Sequence, residues 1–258
     1  MRKTAIGFVA AALIAIAAAP SFATVLLSES FTYPNGDGLL MHGWVPTGAN
    51  VGTDITVLAG RANGDCANTP DDNKGFAAQT GLTYCCFEVM IPDPGGSPKT
   101  IYFQHNSDGG ASNFGARVYV MPTAVGATTF TFAISHSSTN AGVGVVPWTA
   151  TSLSYGVSYR VVTKYDPANN TSTLWVNPAN ESSTSVSQIG TASIASVSAV
   201  CLRQSATAAT LPAGTPSGSA NWKFSVDNLG VGTTFNDACA QITPTSNPTW
   251  GQVKMIYR

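Results

Sequence analysis

Short runs rich in β-branched and aromatic residues recur along the chain, separated by clusters of Gly, Pro, Asn, Asp and Ser. Runs of this kind, apolar and polar by turns, are strands with one buried face, and the clusters are the turns between them. Residues 25–33 make the first strand, closed by Pro34-Asn35-Gly36-Asp37-Gly38. A short one follows at 55–58, another at 75–79, and the longest at 82–91, stopped by Pro92-Asp93-Pro94-Gly95-Gly96. Strands at 100–104, 116–121 and 129–135 come next. Residues 158–166 and 172–176 form a hairpin about Pro167-Ala168-Asn169-Asn170, and 199–204 and 222–231 close the set. The Gly-, Ser- and Thr-rich stretches 136–151 and 205–220 read as loops. Between Thr24 and Phe235 no segment spaces its apolar residues as a helix of several turns would. Strands without intervening helices argue against a parallel βαβ sheet. They predict an all-β fold, a two-sheet antiparallel β-sandwich of jelly-roll type, over residues 24–235.

The two ends differ from this pattern. Arg2 and Lys3 precede an apolar run at 5–19, and Ser21-Phe22-Ala23 places small residues where a signal peptidase cuts. The run is shorter than the roughly 20 residues that span a bilayer, and Pro20 ends it. Residues 1–23 are therefore expected to be a signal peptide cleaved after Ala23, giving a secreted or cell-surface protein with no membrane span after cleavage. Residues 236–258 form a polar, proline-containing tail, in which Trp250, Val253 and Tyr257 fall on one face of a short helix.

Charge narrows the partners. Only 10% of residues are charged, against about 25% in an average domain. The formal net charge is −1, so nucleic acid is excluded as a partner. All five cysteines, Cys66, Cys85, Cys86, Cys201 and Cys239, lie beyond the signal segment. Export makes disulfides possible, and an odd count leaves at least one thiol out. Cys85 and Cys86 are neighbours in a strand and point to opposite faces, so one enters a core while the other can reach a loop cysteine such as Cys66. No spacing matches a zinc pattern.

Several phrases together resemble a known family. They are Glu29-Ser30-Phe31-x-Tyr33, Tyr159-Arg160-Val161-Val162-Thr163-Lys164-Tyr165-Asp166, Leu174-Trp175-Val176-Asn177-Pro178, Cys201-Leu202-Arg203-Gln204 and Val226-Asp227-Asn228-Leu229-x-Val231-Gly232. Their order is similar to that of concanavalin A-like lectin/glucanase jelly rolls, in the LamG-like form of exported bacterial proteins. The resemblance implies the sandwich, but the fold hosts lectins, glycosidases and adhesion modules alike. It also implies that a structural calcium ion is an option, with Glu29 and Asp227 as candidate ligands, where first and last strands meet; no cofactor is required. Alternation alone puts Tyr159, Val161, Thr163 and Tyr165 on one face and Arg160, Val162, Lys164 and Asp166 on the other, the solvent-leaning one.

Catalysis finds little support in the residues. Glycoside hydrolysis needs two carboxylates about 5 to 10 Å apart, and jelly-roll glucanases set them two apart on one strand. The three glutamates here, Glu29, Glu88 and Glu181, have no such partner, and Asp71-Asp72 reads as a turn. There is no Gly-x-Ser-x-Gly elbow, and His42, His105 and His136 are scattered. The residue types suited to holding a sugar are Trp175 and Tyr119 as platforms, with Arg117, Arg203 and Gln204 for its hydroxyls. The expectation is thus a non-enzymatic extracellular binding module for a glycan, with a structural or adhesive matrix protein as the alternative.

Overall fold

The computed structural model describes residues 24–47, 52–69, 71–110, 113–136, 144–191, 193–204 and 211–240. The strands of the first half are β1 (Val25–Glu29), β2 (Val45–Pro46), β3 (Thr56–Leu58), β4 (Arg61–Asp65), β5 (Asp71–Gln79), β6 (Thr83–Met90), β7 (Ile101–Ser107) and β8 (Phe114–Pro122). Those of the second half are β9 (Thr129–Ser135), β10 (Val146–Pro147), β11 (Leu153–Ser154), β12 (Ser158–Asp166), β13 (Thr171–Val176), β14 (Val186–Ile189), β15 (Val197–Arg203) and β16 (Lys223–Gly232). They form two antiparallel sheets. The first runs β14-β13-β12-β6-β16-β4-β3, with β1 also on β16; the second runs β10-β9-β8-β7-β15-β5-β2, with β11 on β9.

Alternation drives the packing. Cys85, Phe87 and Val89 of β6 turn inward, as do Val118 and Val120 of β8 and Val200 and Leu202 of β15. Phe103 ties the sheets together, with its ring 6.0 Å from Phe87, 5.7 Å from Trp222 and 5.5 Å from Phe224. Each fully buried side chain of this size contributes about 1.5–3 kcal/mol. In β16 the register shifts between Asp227 and Gly230, and Asn228 has φ 50. This bulge lets Phe224 and Val226 before it and Leu229 and Val231 after it all enter the core.

Several elements depart from the sequence pattern. The first strand stops at Glu29, and Phe31 turns the chain with φ 50. Asp71 and Asp72 are not a turn: they open β5 and pair with Arg203 and Leu202 of β15. β4 carries no β-branched residue, and its pairing with β16 works because Gly64 lies flat under the Phe224 ring, where a Cβ would collide. A short helix, α1 (Phe235–Cys239), starts at Thr234, whose Oγ1 accepts from the Asp237 amide at 3.2 Å. It packs on the outer face of the first sheet, where Tyr84, Cys86, Val162 and Trp175 close round Phe235 and Ala238. The face of β12 expected to lean to solvent is therefore covered at Val162. A Cβ at Gly230 would strike the Ala238 carbonyl, so glycine permits this approach.

The cysteine pairing also differs. Cys86 reaches Cys239 in α1, not a loop cysteine. Cys66, Cys85 and Cys201 are buried free thiols, so one bridge forms among the five cysteines. Cys66 stays out because it is enclosed in the core. The leader 1–23 and the tail residues Trp250, Val253 and Tyr257 lie outside the described residues. No helix among the described residues is long and apolar enough to cross a membrane.

Candidate active site on the second sheet

Unbroken alternation along β7 would send His105 inward with Ile101 and Phe103. The pairing with β8 instead slips between Tyr102 and Gln104 and again between Gln104 and Asn106. Gln104 consequently joins Phe103 on the inner side, where its amide lies 3.9 Å from Cys85 Sγ. His105 comes out on the same face as Tyr102. In β8, Ala116 takes φ 48 and occupies the core, which leaves Phe114, Arg117 and Tyr119 together on the outer face. Two irregularities in adjacent strands thus gather one cluster.

Tyr102 is the hub of that cluster. Its ring lies 5.5 Å from His105, 5.4 Å from Tyr119 and 6.3 Å from Phe114. Two guanidiniums stack on it, Arg203 at 4.2 Å and Arg117 at 5.1 Å. His105 meets the Phe114 edge at 4.4 Å, and Arg117 also covers Phe114 at 5.0 Å. Arg203 is braced from β5, its Nε 3.5 Å from Asp71 Oδ2, and its Nη1 donates to the Tyr102 carbonyl at 3.4 Å.

His105, Arg117 and Tyr119 are each 0% exposed. Among the described residues, both His105 nitrogens, the three guanidinium nitrogens of Arg117 and the Tyr119 hydroxyl make no hydrogen bond of good geometry, although Arg117 lies close enough to Tyr119 to act on its hydroxyl. A buried charge without partners costs several kcal/mol, and proteins tolerate such breaches of the packing rules at functional sites. Burial, together with the fields of Arg117 and Arg203, pushes the His105 pKa well below its ordinary 6.5, so the imidazole is neutral. Burial raises the Tyr119 pKa even though Arg117 pulls it down, so the phenol keeps its proton. The face thus holds a base without its proton beside an acid that keeps its own. Val145 and Leu211 pack against Tyr102, Tyr119 and Ala133, and the cluster is closed to solvent.

The same face continues past Tyr119. Met121 of β8 pairs with Thr131 of β9, one step beyond the Tyr119–Ala133 pair. There a cavity of about 260 Å³ opens, lined among others by Met121, Thr131 and Trp148.

The structure brings together Arg117, Tyr119 and Arg203 from the expected sugar-binding set. Gln204 sits next to them but is spent on structure: its side chain accepts from the Asp65 amide at 2.9 Å and donates to the Thr53 carbonyl at 2.9 Å. Trp175 lies on the other sheet, 2% exposed beneath α1, with its indole donating to the Glu181 carbonyl. Glu29 and Asp227 are also engaged elsewhere. Glu29 accepts from the Phe31 amide and the Tyr33 hydroxyl, and Asp227 faces Arg61 at 3.4 Å. Among the described residues no three His, Cys, Asp or Glu side chains converge as a metal site. Sequence reasoning missed Tyr102, Phe114 and His105. The available signal was a His, an Arg and two Tyr set in otherwise apolar strands. His42, by contrast, pairs with Asp37 at 3.0 Å, and His136 lies between Ser172 and Ser193.

No family model matches the sequence, and no curated protein does. Solved structures do. An alginate lyase in complex with alginate trisaccharide aligns with TM-score 0.53 at 12% identity, over 80% of this chain and 97% of that one. A sialidase aligns with TM-score 0.52 at 12% identity, over 81% of this chain. This chain spans only 19% of the sialidase's length. A glucuronan lyase from the fungus Trichoderma reesei aligns with TM-score 0.47 at 13% identity, over 81% of this chain and 98% of its own. The alginate lyase and the sialidase correct the expectation of a non-enzymatic module, whether glycan-binding or adhesive, because the sandwich itself is one that enzymes share. A search for paired carboxylates is blind to a site made of His, Tyr and Arg. At these identities the comparisons fix the architecture alone: the chain is a concanavalin A-like jelly-roll sandwich.

Proposed function

We propose that this protein is a polysaccharide lyase that cleaves a uronate-containing polymer by β-elimination at the enclosed His105, Arg117 and Tyr119 cluster of its second sheet, which the substrate enters by displacing Val145 and Leu211. The observation that carries this reading is the buried Arg117 guanidinium beside a neutral His105 and a protonated Tyr119. Elimination next to a carboxylate needs these three parts. A cation draws charge onto the carboxylate and so acidifies the carbon that bears it. A base takes that carbon's proton, and an acid protonates the departing glycosidic oxygen.

In this scheme Arg117 holds the carboxylate, with Arg203 fixed behind it by Asp71. A free His105 nitrogen takes the proton from the carbon α to the carboxylate. The electron pair forms the double bond to the β carbon as the bond from that carbon to the glycosidic oxygen breaks. Tyr119 gives its proton to that oxygen. One proton is taken and one is given, and the products are a new chain end and an unsaturated uronate. The alginate trisaccharide held by the similar lyase is a ligand of the same acidic kind. The signal-like leader and the Cys86–Cys239 disulfide support an extracellular place of work.

The test is to incubate the full chain with a panel of uronate-containing polysaccharides and follow the ultraviolet absorbance of the conjugated double bond. Turnover is expected, with His105→Ala lowering kcat by about 10²–10⁴. The acid limb of the pH profile should fall below 6.5, since burial and the two arginines depress the His105 pKa. A folded protein that yields no unsaturated product from any of them, or a His105→Ala variant with undiminished turnover, would refute the reading.

A further inference from the structure

We infer that the cavity beyond Tyr119 is a subsite for an uncharged sugar, so that the substrate alternates uronate with a neutral residue. This rests on the lyase reading and adds the polymer class to it. Met121 follows Tyr119 by two positions on the same strand face, a step of about 6–7 Å at 3.2–3.4 Å per residue. That is the scale of one sugar residue along a chain. The volume of about 260 Å³ equals roughly eight or nine waters at about 30 Å³ each, which suits one ring.

The lining decides what that ring carries. Thr149, Thr151 and Ser152 offer exposed hydroxyls, Met121 and Trp148 offer apolar surface, and no charged side chain among the described residues lines the cavity. The Thr131 hydroxyl is already used, donating to the Trp148 carbonyl at 2.5 Å. The remaining groups fit sugar hydroxyls or an amide oxygen. A carboxylate placed there would lose water and gain no cation, since Arg117 and Arg203 belong to the neighbouring cluster. The missing cation discriminates against a homopolymer, which brings a carboxylate on every residue.

The experiment compares kcat/KM of the full chain on alginate and polyglucuronate with that on hyaluronan, an alternating polymer of glucuronate and an N-acetylated hexosamine. The alternating polymer is expected to be preferred by at least about tenfold. Thr151→Arg, at an exposed position, should reverse the ratio toward the homopolymers by a similar factor; Ser152→Arg serves if that variant does not fold. Equal rates, a homopolymer preference in the native protein, or a ratio unmoved by the added cation would overturn the inference while leaving the lyase in place. Absence of cleavage with all three polymers would overturn both.

Discussion

Replacing Arg117 with methionine is expected to make the protein more stable and inactive. The guanidinium is 0% exposed, and among the described residues its three nitrogens make no hydrogen bond of good geometry. Taking such a charge out of water costs about 4 kcal/mol after relaxation. The rings of Tyr102 and Phe114, at 5.1 and 5.0 Å, return part of that. A desolvated cation–π contact is worth up to about 2 kcal/mol, so the two together offset about 2–3 kcal/mol. Methionine fills much of the same volume with apolar atoms, and the net gain should be about 1–2 kcal/mol. For a domain of this size that raises Tm by about 2–8 °C. Turnover should meanwhile drop by about 10²–10³, the usual effect of losing one charge-stabilising donor. Thermal unfolding followed by circular dichroism, paired with the absorbance assay, measures both. A fall in Tm of more than about 4 °C would refute the reasoning, because it would mean that the guanidinium holds the sheet together rather than waiting for a carboxylate.

Other outcomes follow from residues away from the cluster. Trp175→Ala should cost about 3–5 kcal/mol by emptying the space beneath α1, measured by urea unfolding, with kcat/KM of the folded protein unchanged because Trp175 is on the opposite sheet. Cys86→Ala with Cys239→Ala opens a link between residues 153 positions apart and should cost about 2–5 kcal/mol; thiol titration of the unfolded, unreduced native chain should count the three free cysteines. Asp72 is buried against Asp54, and burial and that neighbour raise its pKa from 3.8 to about 8. The folded state therefore binds its proton more tightly than the unfolded chain. This contribution is fully present below 3.8 and is lost as pH rises to about 8. Asp72→Asn should flatten the fall in Tm across that window, and an unchanged pH dependence would count against the carboxyl pair.

The strand pattern, the sandwich and most of the core were legible from the sequence, because a two-residue period with turn clusters between runs is a local property. Phe87, Val118 and Phe224 announce their faces by alternation alone. Arg117 and Tyr119 could be paired on one face in the same way. The rest depended on contacts distant in sequence. Alternation buries His105; it reaches the outer face because the register against β8 slips at Gln104, and the partner strand, not the β7 sequence, decides a bulge. Val162 and Trp175 look like an exposed row until α1 returns from the end of the chain to lie on them. Cys86 finds Cys239 for the same reason, since five cysteines in a line carry no record of which two the sheets bring together. The sequence by itself determined which residues are strands and which faces are apolar. Only the tertiary structure decided which polar groups share a face, because register between strands is set by long-range pairing and a slip of one residue reverses every side chain beyond it.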